Sequence, residues 1–195
     1  PTRTGFITGR WQQRCGLEFA FGYQVEQFRR VKGEWVPEKD IHALGLPLNE
    51  ITLAQKLKAA GYATGAFGKW HLGFKDEYNP VKRGFDEYFG IPYSNDMWPQ
   101  HPTSKNFPPL PLYDGNERLR IADEHDQRMM TTWLTARSVD FINRHREEPF
   151  FLYVPHPQPH VPLYVSERFA GTTERGLYGD VIAELDWSVG EILNA

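Results

Sequence analysis

The chain has 195 residues, 40% of them hydrophobic and 14% aromatic, which is enough apolar material for a sizeable core and too much for a disordered segment. Its formal net charge is -3 and no basic stripe runs through it, which argues against a nucleic-acid partner. The longest apolar run, PFFLYVP, falls far short of the roughly 20 residues that a membrane span needs.

Residue 1 is Pro rather than Met, and helical patterning continues to residue 195, so the segment reads as an internal part of one globular domain, cut at both ends. It therefore carries no information about a signal peptide. Its single cysteine, Cys15, cannot form an internal disulfide and leaves the redox compartment open.

Residues 1–10, PTRTGFITGR, predict a short helix, with Pro1 in the first turn and Gly9 near the end. Residues 11–50 are mixed and aromatic and suit loops with a hairpin. A clearer helix follows: Thr52 and Gln55 have capping-box spacing, Leu53, Leu57 and Ala60 share a face, and Gly61 marks the stop. Tyr62 to Phe67 is a short strand leading into the loop GKWHLG. From Pro92 to Pro111 the richness in Pro, Asn and Ser predicts an irregular surface loop. Between Asp126 and Glu147, Met130, Trp133, Leu134, Phe141 and Ile142 fall on one helical face. The strand FFLYV then ends in HPQPHVP, and a last helix places Leu177, Val181, Ile182, Leu185, Ile192 and Leu193 on its buried side.

Twice a helix leads into a short strand whose following loop is dense in His, Lys, Pro and Gly. That is an α/β pattern, and in open α/β sheets ligands bind beyond the carboxyl ends of the strands. GKWHLG and HPQPHVP are accordingly the places to expect chemistry.

Three clusters are candidates. Arg3 at a helix start offers a fork of donors suited to a tetrahedral oxyanion. In GYATGAFGKWHLG, glycines flank Lys69 and His71; residues two apart in an extended segment point to the same side, so Lys69 could hold a charged oxygen while His71 handles a proton. His156 and His160 lie in a loop stiffened by Pro155, Pro157, Pro159 and Pro162. Taken singly, each also admits a bland reading: a solvated Arg, a glycine-rich turn with a solvated Lys, or a solvated His. No H-E-x-x-H or paired C-x-x-C spacing supports a zinc site.

Taken together, these motifs resemble the type I sulfatases. PTRTGFITGR is similar to the signature C-x-P-[S/A]-R-x-x-x-x-T-G-R without its first two residues, and GYATGAFGKWHLG is similar to the second signature of that family. PFFLYV with PHVPL resembles the strand and loop that bring in a third active-site group, and GFDEYFGIPYSNDM resembles the arylsulfatase A-like branch. The resemblance runs from Pro1 to Ala195, in the family's order. It implies an alkaline phosphatase-like α/β sheet flanked by helices, of which residues 1–195 would be an internal fragment of a single catalytic domain.

The same resemblance implies hydrolysis of sulfate esters by a formylglycine, made from a Cys or Ser expected two positions before Pro1, whose hydrated aldehyde attacks sulfur. By motif position Arg3 would steady that group, and Lys69 would bind both it and a sulfate oxygen. His71 would orient the hydrate and serve as base in the elimination that re-forms the aldehyde, His160 would bind sulfate and assist the leaving group, and Ser94 would bind substrate. Calcium is implied too, with its oxygen ligands outside these residues. Implied partners are a sulfated small molecule, glycolipid or carbohydrate, and a formylglycine-generating enzyme or maturase, in a periplasmic, secreted or lysosomal setting.

Thr2 departs mildly from the signature's Ser or Ala. Cys15, followed by GLEFA with no Pro or Arg at the required offsets, reads as an ordinary thiol rather than a formylglycine precursor. Two rival readings are a phosphodiester or phosphonate hydrolase of the same superfamily and a binding protein that keeps the fold without the nucleophile. The stretch from Ile91 to Tyr113, with Trp98, His101 and Phe107, is expected to shape the pocket around the alcohol part of the ester.

Overall fold

Helix α1 runs from Thr2 to Thr8, and Gly9 stops it with φ 65°, a conformation that costs glycine little. A short 3-10 helix, Gln12–Cys15, follows. These come from a computed structural model that describes residues 2–18, 27–31, 34–38, 45–103 and 107–195, with the backbone alone for 27–31 and 34–38. Strands β1 (Gln27–Val31) and β2 (Glu34–Glu38) form the expected hairpin, paired antiparallel as a separate two-stranded sheet.

The capping box predicted at Thr52 is present. Thr52 Oγ1 accepts from Gln55 N at 3.1 Å, Gln55 Oε1 accepts from Thr52 N at 2.9 Å, and helix α2 spans Leu53–Ala59. Its buried residue is Ala54; Leu53 and Leu57 are half-buried and Ala60 is exposed, so the expected face is turned by about one position.

Strand β3 spans Ala63–Lys69, two residues further than the sequence predicts. The extension has a local cause. Gly68 has φ 140°, and a Cβ there would stand 2.4 Å from Pro155 O, so only glycine lets β3 continue beside the chain that leaves the next strand. Lys69 N then donates to Pro155 O at 2.9 Å. Lys69 is thereby the last residue of a strand rather than part of a loop.

After two 3-10 turns, Asp76–Tyr78 and Pro80–Arg83, come β4 (Glu87–Ile91) and a hairpin absent from the sequence reading, β5 (Pro111–Asp114) with β6 (Glu117–Ile121). Helix α3 (Glu124–His145) opens on an Asp123/Asp126 capping box, β7 covers Phe150–Tyr153, and α4 runs Gly176–Asn194.

The main sheet has the order β6-β5-β4-β3-β7, with β4 and β7 parallel to β3, β5 antiparallel to β4, and β6 antiparallel to β5. One apolar cluster (Ile7, Ala54, Ala66, Trp70, Phe85, Tyr88) joins one face of the sheet to α1 and α2. A second (Phe67, Phe89, Leu112, Met130, Leu134, Phe141) joins the other face to α3. Neighbouring strand residues Ala66 and Phe67 point to opposite faces, and the sheet is covered on both sides, as a parallel sheet requires.

Two expectations are corrected. Helix α4 buries Asp180, Val181, Glu184 and Ser188, whereas Leu177, Ile182 and Leu193 are exposed and Leu185 and Ile192 half-buried. Hydrogen bonding explains the reversal: Glu184 accepts from Thr132 Oγ1 at 3.1 Å and from Ser166 N at 3.2 Å, and Asp180 accepts from the backbone of Gly171 and Thr173. The segment 92–110, expected at the surface, buries Tyr93, Ser94, Asn95, Met97, Trp98 and Leu110. Trp98 packs edge-on against Tyr164, which removes it from any role in lining an accessible pocket.

Candidate active site

Because β3, β4 and β7 are parallel, their carboxyl ends lie along one edge of the sheet, where Lys69 ends β3 and the loops that follow β4 and β7 carry Ser94 and His160. The main chains are laced together there. Trp70 N donates to Ile91 O at 3.0 Å and His71 N to Pro92 O at 2.9 Å, so the loop after β3 runs beside the segment that leads to Ser94.

Arg3, from α1, reaches the same edge. Its Nη1 donates to Lys69 O at 2.7 Å and lies 3.1 Å from the hydroxyl oxygen of Tyr153, at the end of β7. One guanidinium thus ties the first helix to two strand ends, a task suited to the rigid fork of Arg. Lys69 is 8% exposed, and its Nζ donates to Ser94 Oγ at 3.3 Å. Burial and then the neighbouring Arg3 charge push the Lys69 ammonium down to about 8, while Asp96 opposes the shift. At neutral pH it remains a cation, and one poorly solvated by water, which favours capture of an anion.

His71 has φ 56°, a left-handed conformation uncommon outside glycine, and its ring stacks on Phe74 with centroids 6.4 Å apart. A non-glycine residue held in this way is a feature of functional loops. His160 is half-exposed, with its Nδ1 2.6 Å from Val161 O and 4.0 Å from Asp96 Oδ1. Its backbone is clasped by Asn95, fully buried, whose Nδ2 donates to Pro162 O at 3.2 Å and to His160 O at 3.4 Å. Gln127 of α3 in turn donates to Asn95 O at 2.8 Å.

The arrangement can hold a tetrahedral anion between a guanidinium, a buried ammonium and a hydroxyl, with an imidazole at the rim. Lys69 is in direct contact with both Arg3 and Ser94, and His160 joins them through the residues that follow Ser94. His156, in the same proline-rich loop, behaves otherwise: it is turned into the protein, its Nε2 is 3.3 Å from Ser188 Oγ, and burial pushes its imidazole down to about 4. Cys15 is buried, and burial followed by the Glu50 charge raises its thiol, which disfavours the reactive thiolate. Among the described residues no group of three or more His, Cys, Asp or Glu side chains could hold a metal ion.

Asn95, Asp96, Gln127 and Tyr153 escape sequence reasoning. Their only signal was adjacency to Ser94 for two of them, and none for the others, because their contacts join residues 32 to 150 positions apart.

The chain is 40% identical to human arylsulfatase G over 218 residues, covering 98% of the chain and 38% of that protein. It is 35% identical to human N-acetylgalactosamine-6-sulfatase over 200 residues, covering 99% and 36%. A sulfatase from Pseudoalteromonas sp., PsFucS1, shares the fold with a TM-score of 0.76 at 21% identity, over 98% of this chain and 40% of the other. The chain therefore spans less than two-fifths of the length of these curated relatives. The model of the sulfatase family matches residues 22–195, which include the whole of the main sheet and every loop along its carboxyl edge, and the chain belongs to that family.

Proposed function

We propose that the complete gene product carrying this chain hydrolyses sulfate esters, with a sulfated carbohydrate or glycolipid as the substrate class. The observation that supports this most directly is the buried Lys69 ammonium, backed by Arg3 and touching Ser94, at the carboxyl edge of the sheet. A sulfate ester places its charge on oxygens arranged tetrahedrally, and preorganised cationic or N–H donors of this kind are each worth roughly 2.7 to 4 kcal/mol in a transition state.

In this reading Lys69 and Ser94 bind sulfate oxygens, Arg3 fixes the end of β3 and contributes charge, His71 orients the attacking group and serves as base in the later elimination of sulfate, and His160 gives a proton to the leaving oxygen. The family's formylglycine, when present, supplies the attacking oxygen. Arg3, Lys69 and His71 fit it, since two cations and an imidazole suit a hydrated aldehyde that ionises. The described residues offer no cluster of three or more His, Cys, Asp or Glu, so calcium, whose ligands are expected outside residues 1–195, takes part in none of these roles. A formylglycine-generating enzyme or maturase and a periplasmic, secreted or lysosomal location accompany the proposal.

The test is a paired initial-rate assay of the complete gene product on 4-nitrophenyl sulfate and on the matching phosphate mono- and diesters. Preference for sulfate by at least tenfold, about 1.4 kcal/mol in barrier, is expected. Preference for a phosphate ester would favour the phosphoryl-transfer reading. Turnover of neither ester, with sulfate still bound, would favour a binding protein.

A further inference from the structure

We infer that Asp96 is a positioning residue: its carboxylate faces Nδ1 of His160 and holds that ring with Nε2 directed to the leaving oxygen of the ester. The inference rests on the sulfatase reading for the role of His160 and adds a residue to it.

Asp96 Oδ1 is buried and accepts no hydrogen bond, yet lies 4.0 Å from His160 Nδ1. Leaving a carboxylate oxygen buried and unpaired is unfavourable, and beside an anion site the charge also repels the ligand. A merely structural role does not account for such a group. The carbonyl of Val161, 2.6 Å from His160 Nδ1, can only accept, which assigns a proton to Nδ1. Asp96 approaches the same nitrogen. The other nitrogen, Nε2, is left for chemistry.

The approach is set by neighbours. Ser94, Asn95 and Asp96 are consecutive: the first touches Lys69 Nζ, the second clasps the main chain of His160, and the third faces its ring. Among the described residues, the charges that bear on this group are the Asp96 carboxylate, the Lys69 ammonium and Arg3 behind it; Gln127, reaching in from α3, is neutral. As the sulfur–oxygen bond breaks, its electron pair stays on the leaving oxygen and the Nε2 proton of the imidazolium passes to it. The neutral imidazole that remains keeps its Nδ1 proton on the Val161 carbonyl, in the field of the Asp96 carboxylate. Sulfur's new bond would be to the oxygen that the formylglycine supplies.

Asp96→Asn in the complete gene product keeps the shape and removes the charge, and two opposite changes are expected. Affinity for inorganic sulfate, read by calorimetry, rises several-fold, because a negative charge beside the anion site is gone. At the same time kcat on a monosaccharide sulfate, whose alkoxide must be protonated, falls on the order of 10²-fold, against less than about threefold on 4-nitrophenyl sulfate, which departs unprotonated. Asp96→Glu, which keeps the charge, recovers monosaccharide sulfate turnover in part.

Equal losses on both esters, or weaker sulfate binding together with lower turnover, would make Asp96 scaffolding and overturn the inference. Should Asp96→Asn not fold, Asp96→Ser against Asp96→Glu carries the same comparison. If the wild type hydrolyses neither ester, the sulfatase reading fails on its own. Calorimetry still decides, because unchanged or weaker sulfate binding in Asp96→Asn overturns the placement of the charge.

Discussion

Acidification should destabilise this protein through one histidine, His156, whose ring is turned into the protein. His156 sits between the end of β7 and the α3–α4 interface, where Ser188 Oγ is 3.3 Å from its Nε2 and 2.6 Å from Thr135 Oγ1. Its Nδ1 is buried without a partner, so a proton added there would be a desolvated charge. Burial lowers the imidazole from 6.5 to about 4.

Between those values the unfolded chain binds a proton that the folded chain does not, so stability is complete above about 6.5 and declines as the pH falls toward 4. A gap of that size corresponds to about 3 kcal/mol when fully expressed, and to about 2.5 kcal/mol at pH 4.5. Paired carboxylates such as Asp86 and Asp126, held below the usual range by Lys58, Thr64 and Arg120, also lose stabilisation in acid, so the wild-type curve alone is not diagnostic. The contribution of His156 is isolated by comparison with His156→Gln, which does not titrate. Urea unfolding followed by tryptophan fluorescence at pH 7.5 and 4.5 should show a smaller acid loss in the variant, by about 2.5 kcal/mol. Equal acid losses in both proteins would refute the reasoning, because they would mean that His156 is solvated or protonated in the native state.

In the complete gene product, Lys69→Ala should lower turnover on an aryl sulfate by about 10² to 10³, while Cys15→Ala leaves it nearly unchanged; initial rates with circular dichroism as a folding control check both. Gly90→Ala should destabilise the fold by about 3 kcal/mol or more, since a Cβ there would lie 2.0 Å from Gly68 O in the adjacent strand; thermal unfolding measures it, and a near-neutral result would mean that β3 and β4 can separate locally. Residues 1–195 expressed alone should show no turnover of 4-nitrophenyl sulfate in the presence of calcium. A rate within about tenfold of the complete gene product would place the nucleophile inside this chain.

Local signals in the sequence determined the elements that depend on near neighbours. The capping box at Thr52 and Gln55, the stop at Gly9 and the apolar stripe of α3 through Met130, Leu134 and Phe141 involve contacts a few residues apart, and each appears where its pattern places it. The sequence also marked Arg3, Lys69, Ser94 and His160, because glycine and proline spacing and motif order are properties of the chain itself. Only tertiary structure decided what those residues touch. Parallel pairing of β3 with β4 and β7 brings three distant loops to one edge, and glycine at 68 and 90 allows an approach no side chain would permit. The polar buried face of α4 was equally illegible, since Asp180, Glu184 and Ser188 are tolerated inside only because Gly171, Thr173, Ser166, Thr132 and Thr135 supply hydrogen bonds from elsewhere. Periodicity records which residues can be buried, but whether a polar group is buried depends on partners that folding alone brings within reach.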